Sequence, residues 1–271
     1  MARVRIMGIV NVTPDSFSGD GLTDRRGAVE RGLAMARAGA DMVDVGGEST
    51  RPGHSPVTVA EELARAVPVV AELARAGLTV SVDTSKLEVA VAAAEAGATI
   101  VNDVWGLQRS PGIARLAADR GLSLVLMHNQ EGHQYSADLM TAIKGGLRRS
   151  ILIALEAGVP AERVIVDPGI GFGKTAEHNL IVFRRLAELL ELGHPLLVGP
   201  SRKSFLGRLF GQEMEMRSWG TAAVVTACVL RGADIVRVHD VAEMAAVVRV
   251  AEALRVSGSG VAGSGAAGTE A

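Results

Sequence analysis

Short β-rich apolar runs alternate with longer Ala/Leu-rich amphipathic segments along most of the chain, the pattern of βα repeats around a parallel sheet. Eight strands are predicted: "VRIMGIVN", "MVDVGG", "TVSVD", "TIVND", "SLVLMH", "RVIVD", "PLLVG" and "DIVRVH". Helical segments separate them, among them "AVERGLAMARAGA", "ADLMTAIKGGLRRSILIALEAG" and "NLIVFRRLAELLELG". Capping boxes are expected at Thr58/Glu61 and Ser85/Glu88, with a further cap at Asp240 answered by Glu243. Gly recurs just before the next strand, where a helix C-cap needs it. Eight such units close most simply into a single α/β (β/α)8 TIM barrel, with an open doubly wound sheet as the alternative at this level.

The polar positions decide more than the apolar ones. Strand after strand is apolar until its C-terminal end and then delivers a hydrogen-bonding residue: Asn11, Asp83, Asn102, His128, Asp167, Arg237 and His239. In a barrel those ends share one rim and converge on one pocket, so the active site is expected at the C-terminal ends of the strands. Any one of these residues alone reads equally well as a helix N-cap. Seven at equivalent positions do not.

Asp83, Asn102 and Asp167 would line the barrel nearer its axis. Buried carboxylates are costly unless paired, so a ligand with N–H donors is expected, such as a flat heterocycle with an amino group beside a ring N–H. "GPSRKSFLG" and "RVHD", with Lys203, Ser204, Arg237 and His239, follow the seventh strand and end the eighth, the corner where barrels often bind phosphate. "GGESTRPG", with Thr50 and Arg51, is read as a phosphate-reaching loop or a lid. The Gly-rich "DPGIGFGKT" adds Phe172 and Lys174. His128 and His133 lack a third ligand at a catalytic-zinc spacing. Asn11 is a hard oxygen ligand that suits Mg²⁺ held mainly by water and ligand phosphates.

Composition narrows the field. The 271 residues are 48% hydrophobic and 21% charged with a net charge of −2, which suits one large domain over 1–256 and offers no nucleic-acid surface. From Ser257 the sequence "SGSGVAGSGAAGTEA" has no apolar period and is expected to be a disordered tail over 257–271. The single cysteine, Cys228, forms no internal disulfide and points to a reducing cytoplasm. No basic-then-apolar segment opens the sequence and no run reaches the ~18 apolar residues of a membrane span, so a soluble protein is expected.

"GIVNVTPDSFS", "DVGGESTRPG", "SVDTSK", "IVND", "DPGIGFGKTAEHN", "SRKSFLG" and "RVHD", in this order, closely resemble the dihydropteroate synthase family over about Val4 to Arg255. The resemblance implies a (β/α)8 barrel that joins 6-hydroxymethyl-7,8-dihydropterin diphosphate to 4-aminobenzoate with release of diphosphate. It implies a pterin-binding set of Asp83, Asn102, Asp167 and Lys203, a Mg²⁺ contact at Asn11, and diphosphate contacts from Thr50, Arg51, Arg237 and His239. Phe172, Lys203 and Ser204 would shape the aminobenzoate pocket, closed by Pro52 and Phe17. Asp15 is the expected anion beside the cation that forms when diphosphate leaves, and a cytoplasmic homodimer through rim-distal helices is implied. Two departures stand out: "SGDG" where the family usually has Asp-Gly-Gly after Ser-Phe-Ser, and Asn129 where methionine is common. A methyltetrahydrofolate-dependent methyltransferase would read the same ring but would have little need of "SRKS" and "RVHD". An aldolase would want Lys203 inside a strand in an apolar pocket.

Overall fold

The computed structural model describes residues 3–12, 21–48, 57–203 and 216–255. Asp15, Phe17, Thr50, Arg51, Pro52 and Ser204, all singled out above, lie outside the described residues, as does the tail.

Eight strands form one parallel sheet: β1 Arg5–Asn11, β2 Met42–Gly46, β3 Val80–Asp83, β4 Ile100–Asp103, β5 Ser123–Met127, β6 Val164–Asp167, β7 Leu197–Val198 and β8 Ile235–Val238. The ladder runs β6-β5-β4-β3-β2-β1-β8-β7, and a parallel bridge between Val166 and Leu196 joins its two ends. The sheet is therefore the barrel, and the open-sheet alternative falls. Helices α1 Gly21–Arg37, α2 Val59–Arg75, α3 Leu87–Glu95, α4 Gly112–Arg120, α5 Leu139–Glu156, α6 Ala176–Arg184, α7 Met216–Leu230 and α8 Val241–Leu254 alternate with the strands.

Period-two alternation divides each strand between two cores. Outward residues such as Ile6, Val43, Val82, Leu124 and Val236 pack with the helices in one large cluster. Inward residues Met7, Met42, Ile100, Val125, Ile165, Leu197 and Ile235 form a separate apolar layer inside the barrel. The next inward positions toward the C-terminal ends carry Asp44, Asp83, Asn102, Asp167 and Arg237, which makes the site the upper half of the barrel's own interior.

The predicted strands match to within a residue at each end, except that β7 is only two residues long, between Pro195 and Pro200. Three local expectations are corrected. The Thr58/Glu61 capping box forms, but α3 starts from Lys86 without a side-chain cap, so the Ser85/Glu88 box does not. Lys86 is drawn away instead, its Nζ bonding Glu48 at 2.6 Å, Glu62 at 2.5 Å and the Val57 carbonyl at 3.0 Å. Asp240 precedes α8 but makes no side-chain cap, because its carboxylate pairs with Arg202 at 2.6 Å. Finally, the helix expected over 179–193 is α6 followed by a 3₁₀ stretch, Leu186–Leu192.

Candidate active site

Strand ends bring the candidate residues together. A pocket of about 310 Å³, mouth included, is lined by Asp83, Asn102, Asp167, Lys203 and Arg237, with Val104, Met127, Ile170 and Phe172 as apolar walls. The register explains the convergence: Asp83 pairs with Asn102 across β3 and β4, and Met127 with Asp167 across β5 and β6.

One cation serves two carboxylates on the floor. Arg237 donates from Nε to Asp44 at 2.7 Å and from Nη2 to Asp83 at 2.8 Å. Burial pulls the Arg237 guanidinium down, but Asp44 and Asp83 outweigh that effect and hold it above its usual value. Asp83 is pushed up to about 7 by burial, with Arg237 opposing and Asp44 adding to the shift. Its Oδ2 is taken by Arg237, while Oδ1 is buried and receives no donor from any described residue. A buried acceptor of that kind costs about 1–3 kcal/mol until something donates to it. Asp167 is also raised by burial, against the Gly169 N–H that donates to its Oδ1 at 2.7 Å.

The Gly-rich segment after β6 is a wall, not a slack connector. Gly169 has φ 72, and a side chain there would overlap the His128 carbonyl oxygen. At Gly173, φ 56, a Cβ would lie 2.6 Å from the Gln130 carbonyl oxygen. Lys174 fastens this segment from beneath. Its Nζ lies 3.1 Å from His128 Nδ1 and 3.0 Å from the Phe172 carbonyl oxygen. Burial lowers Lys174 to about 7, with Asp167 opposing and Lys203 assisting. Burial, and then Lys174, lowers His128 to about 3, so its neutral ring accepts at Nδ1. The Asn179 carboxamide accepts the Gly171 N–H at 2.8 Å, and a Thr175/His178 capping box starts α6. Above this wall Lys203 Nζ stands 4.3 Å from the Phe172 ring centroid, a cation–π contact.

Beside the pocket, Ser201 Oγ accepts the His239 N–H at 3.3 Å and meets its Nδ1 at 3.0 Å, joining the segments that follow β7 and β8. Arg202 takes φ 56, a left-handed conformation that costs a non-glycine residue about 1–2 kcal/mol. The Arg202–Asp240 pair holds it there. Asn11 ends β1 on the inward register, half-buried, its Oδ1 3.8 Å from where a Cβ on Gly46 would stand. Asn129 accepts its own neighbour's N–H, from Gln130, at 2.8 Å and thereby closes the turn after β5. His133 is exposed and takes no part.

Sequence reasoning missed Asp44, which is wholly buried in the middle of β2 and shared by Asn102 and Arg237. The only sequence signal was an acid on the inward register of an otherwise apolar strand.

The sequence profile of the family described as pterin binding enzyme matches residues 7–239. The chain is 43% identical over 254 residues to "Dihydropteroate synthase" of Bacillus subtilis, covering 92% of this chain and 88% of that protein. Among solved structures, dihydropteroate synthase from Clostridium difficile in the presence of pteroic acid superposes with a TM-score of 0.89 at 45% identity, over 93% of this chain and 97% of that one. The Xanthomonas albilineans dihydropteroate synthase in complex with 7,8-dihydropteroate gives 0.85 at 41% identity, over 94% and 95%. Matched along nearly its whole length in sequence and in fold, the chain belongs to the dihydropteroate synthase family of pterin-binding enzymes.

Proposed function

We propose that the barrel condenses 6-hydroxymethyl-7,8-dihydropterin diphosphate with 4-aminobenzoate to give 7,8-dihydropteroate and diphosphate, a transferase step of folate biosynthesis. The observation that carries this reading is the floor of the pocket. Asp83, Asn102 and Asp167 offer acceptors between apolar walls, and Asp83 Oδ1 has no donor among the described residues. The amino group and ring N–H of a pterin supply such donors side by side.

Asp83, Asn102, Asp167 and Lys203 then hold the ring. The bond between the methylene carbon and the diphosphate oxygen breaks with its electron pair leaving on diphosphate. Charge left on the methylene spreads over the ring, and Asp15, by its place in the first motif, is the anion assigned to it. The aniline nitrogen's lone pair forms the new C–N bond, and its proton passes to solvent. His239, Arg237, Thr50 and Arg51 are assigned to the departing diphosphate, and Phe172, Lys203, Ser204, Pro52 and Phe17 to the aminobenzoate ring. With little covalent chemistry for the protein to perform, positioning and charge placement carry the acceleration.

Asn11 fits a Mg²⁺ contact: one hard oxygen at the rim suits an ion that keeps most of its waters and shares phosphate oxygens. Among the described residues no group of three or more His, Cys, Asp or Glu is placed to hold a metal alone, in keeping with an ion held jointly with diphosphate. Bound there, Mg²⁺ would neutralise charge on the leaving group. A homodimer is supported by large apolar side chains left exposed on α7 and α8: Trp219 at 74% exposure, Val250 at 61% and Leu254 at 58%. No described helix is long and apolar enough to cross a membrane, and the single free cysteine, Cys228, is in keeping with a reducing, cytoplasmic location.

The test is product formation. With both substrates and Mg²⁺ present, diphosphate and 7,8-dihydropteroate are expected in equal amounts, and omitting 4-aminobenzoate should abolish the pteroate. No condensation under these conditions would refute the reading.

A further inference from the structure

Asp44 touches the pocket residues but does not line the pocket. It is wholly buried in β2, and a single oxygen, Oδ2, accepts from two donors: Asn102 Nδ2 at 2.8 Å and Arg237 Nε at 2.7 Å. Those donors come from β4 and β8, 58 and 193 positions away in the chain.

The consequence falls on Asn102. A carboxamide carries a donor end and an acceptor end of nearly equal size, and the surrounding hydrogen bonds decide which end faces a ligand. With Nδ2 held by Asp44, the end left for the pocket is the acceptor, Oδ1. Arg237 is constrained in the same way, with Nε turned to Asp44 and Nη2 to Asp83. Three donor nitrogens, Asn102 Nδ2 and Arg237 Nε and Nη2, are thus engaged inside the protein, and Asn102 Oδ1 and Asp83 Oδ1 remain as acceptors.

We propose that Asp44 is a positioning residue that sets the hydrogen-bond polarity of the ring pocket: by taking Asn102 Nδ2 and Arg237 Nε, it selects a heterocycle whose edge is a row of N–H donors over an isosteric ring with a carbonyl at the same place. The proposal rests on the ring-binding reading above and adds a specificity determinant to it. A 2-oxo ring in place of the 2-amino ring sets a carbonyl against the fixed acceptors, and the Asn102 amide cannot turn to meet it while Asp44 holds Nδ2. If Asp44 were only a counter-charge filling the barrel, its loss would weaken every ligand alike.

The experiment is a calorimetric comparison of pterin diphosphate with its 2-oxo counterpart, in wild type and in three Asp44 variants. Wild type should prefer the amino ring by about a hundredfold or more, as sites do when a mismatch leaves buried polar groups unpaired. Asp44→Leu removes the shared acceptor and frees the Asn102 amide to rotate, so the preference should fall to about tenfold or less. The KM for 4-aminobenzoate should stay within about threefold, because its ring lies outside this floor. Asp44→Ser, too short to reach either donor, repeats the test with less bulk should the leucine variant not fold. Asp44→Asn keeps an acceptor oxygen and should restore part of the preference. An undiminished preference in the folded Ser or Leu variant overturns the inference while leaving the ring reading intact. Failure of wild type to bind either ring overturns the ring reading and the inference with it.

Discussion

The lower and upper halves of the barrel interior are built from the same strands on the same inward register, yet they behave as opposites. Below, Met7, Met42, Ile100, Val125, Ile165, Leu197 and Ile235 fill the space with apolar volume. One inward step further, Asp44, Asp83, Asn102, Asp167 and Arg237 bury charge, and two carboxylate oxygens, Asp44 Oδ1 and Asp83 Oδ1, receive no donor from a described residue. The lower layer stabilises the fold outright, since each large side chain removed from water contributes about 1.5–3 kcal/mol. The upper layer spends stability to keep acceptors ready for a ligand. Preorganised polar groups in a dry pocket cost the fold before binding and need no reorganisation when the ligand arrives.

The comparison can be broken most severely at Arg237. Arg237→Met leaves Asp44 and Asp83 buried without their cation, and breaking a buried pair in this way costs about 3–5 kcal/mol. A large drop in the urea midpoint is expected, together with loss of condensation in whatever fraction folds. In the lower layer, Ile165→Ala should cost about 2–5 kcal/mol of stability through the cavity it leaves. Its KM values should stay near wild type, because the side chain does not reach the pocket. Equal losses of affinity and stability there would show that the two halves are not separable. A smaller effect is expected at the wall. Lys174→Met removes the bonds to His128 Nδ1 and the Phe172 carbonyl, and the acceptors left behind should cost about 1–3 kcal/mol. Steady-state kinetics should show the KM for 4-aminobenzoate rising more than that for the pterin, since Phe172 moves and the floor does not.

How much of this was legible in the sequence follows from the range of each interaction. Strand positions were legible because alternation and glycine punctuation are local, and β7, Leu197–Val198, is the short one, extended toward β6 only by the bridge between Leu196 and Val166. Asp83, Asn102 and Asp167 were legible because each closes an apolar run. Asp44 was not, because its role depends on Arg237, 193 residues away. The Ser85/Glu88 and Asp240/Glu243 boxes failed for a related reason: the local cap was outcompeted by Glu48 and Glu62 at Lys86 and by Arg202 at Asp240, partners that no short window contains. Lys174 was noticed as a lysine in a glycine-rich run, but its burial against His128 required the fold of both loops.

The central claim is that the upper layer holds an acceptor waiting for a ring N–H, and Asp83 offers the most direct test. Its carboxyl is raised from an ordinary 3.8 to about 7, so between those values the folded chain keeps a proton that the unfolded chain has lost. The Asp83 contribution to stability therefore falls as pH rises through that window and levels off above about 7. A ligand that donates to the carboxylate binds the ionised form and must displace that proton. Calorimetric titration of pterin diphosphate across this range, in buffers of different ionisation enthalpy, should show affinity rising toward pH 8 with proton release below pH 7. In Asp83→Asn both the slope and the proton release should shrink, leaving only what Asp167, Lys174 and the diphosphate contribute, and affinity should drop, while stability stays within about 1 kcal/mol of wild type because Arg237 keeps Asp44 as its counter-charge. Affinity in wild type that is flat with pH, or an Asp83→Asn variant that binds the pterin as tightly as wild type, would contradict the account.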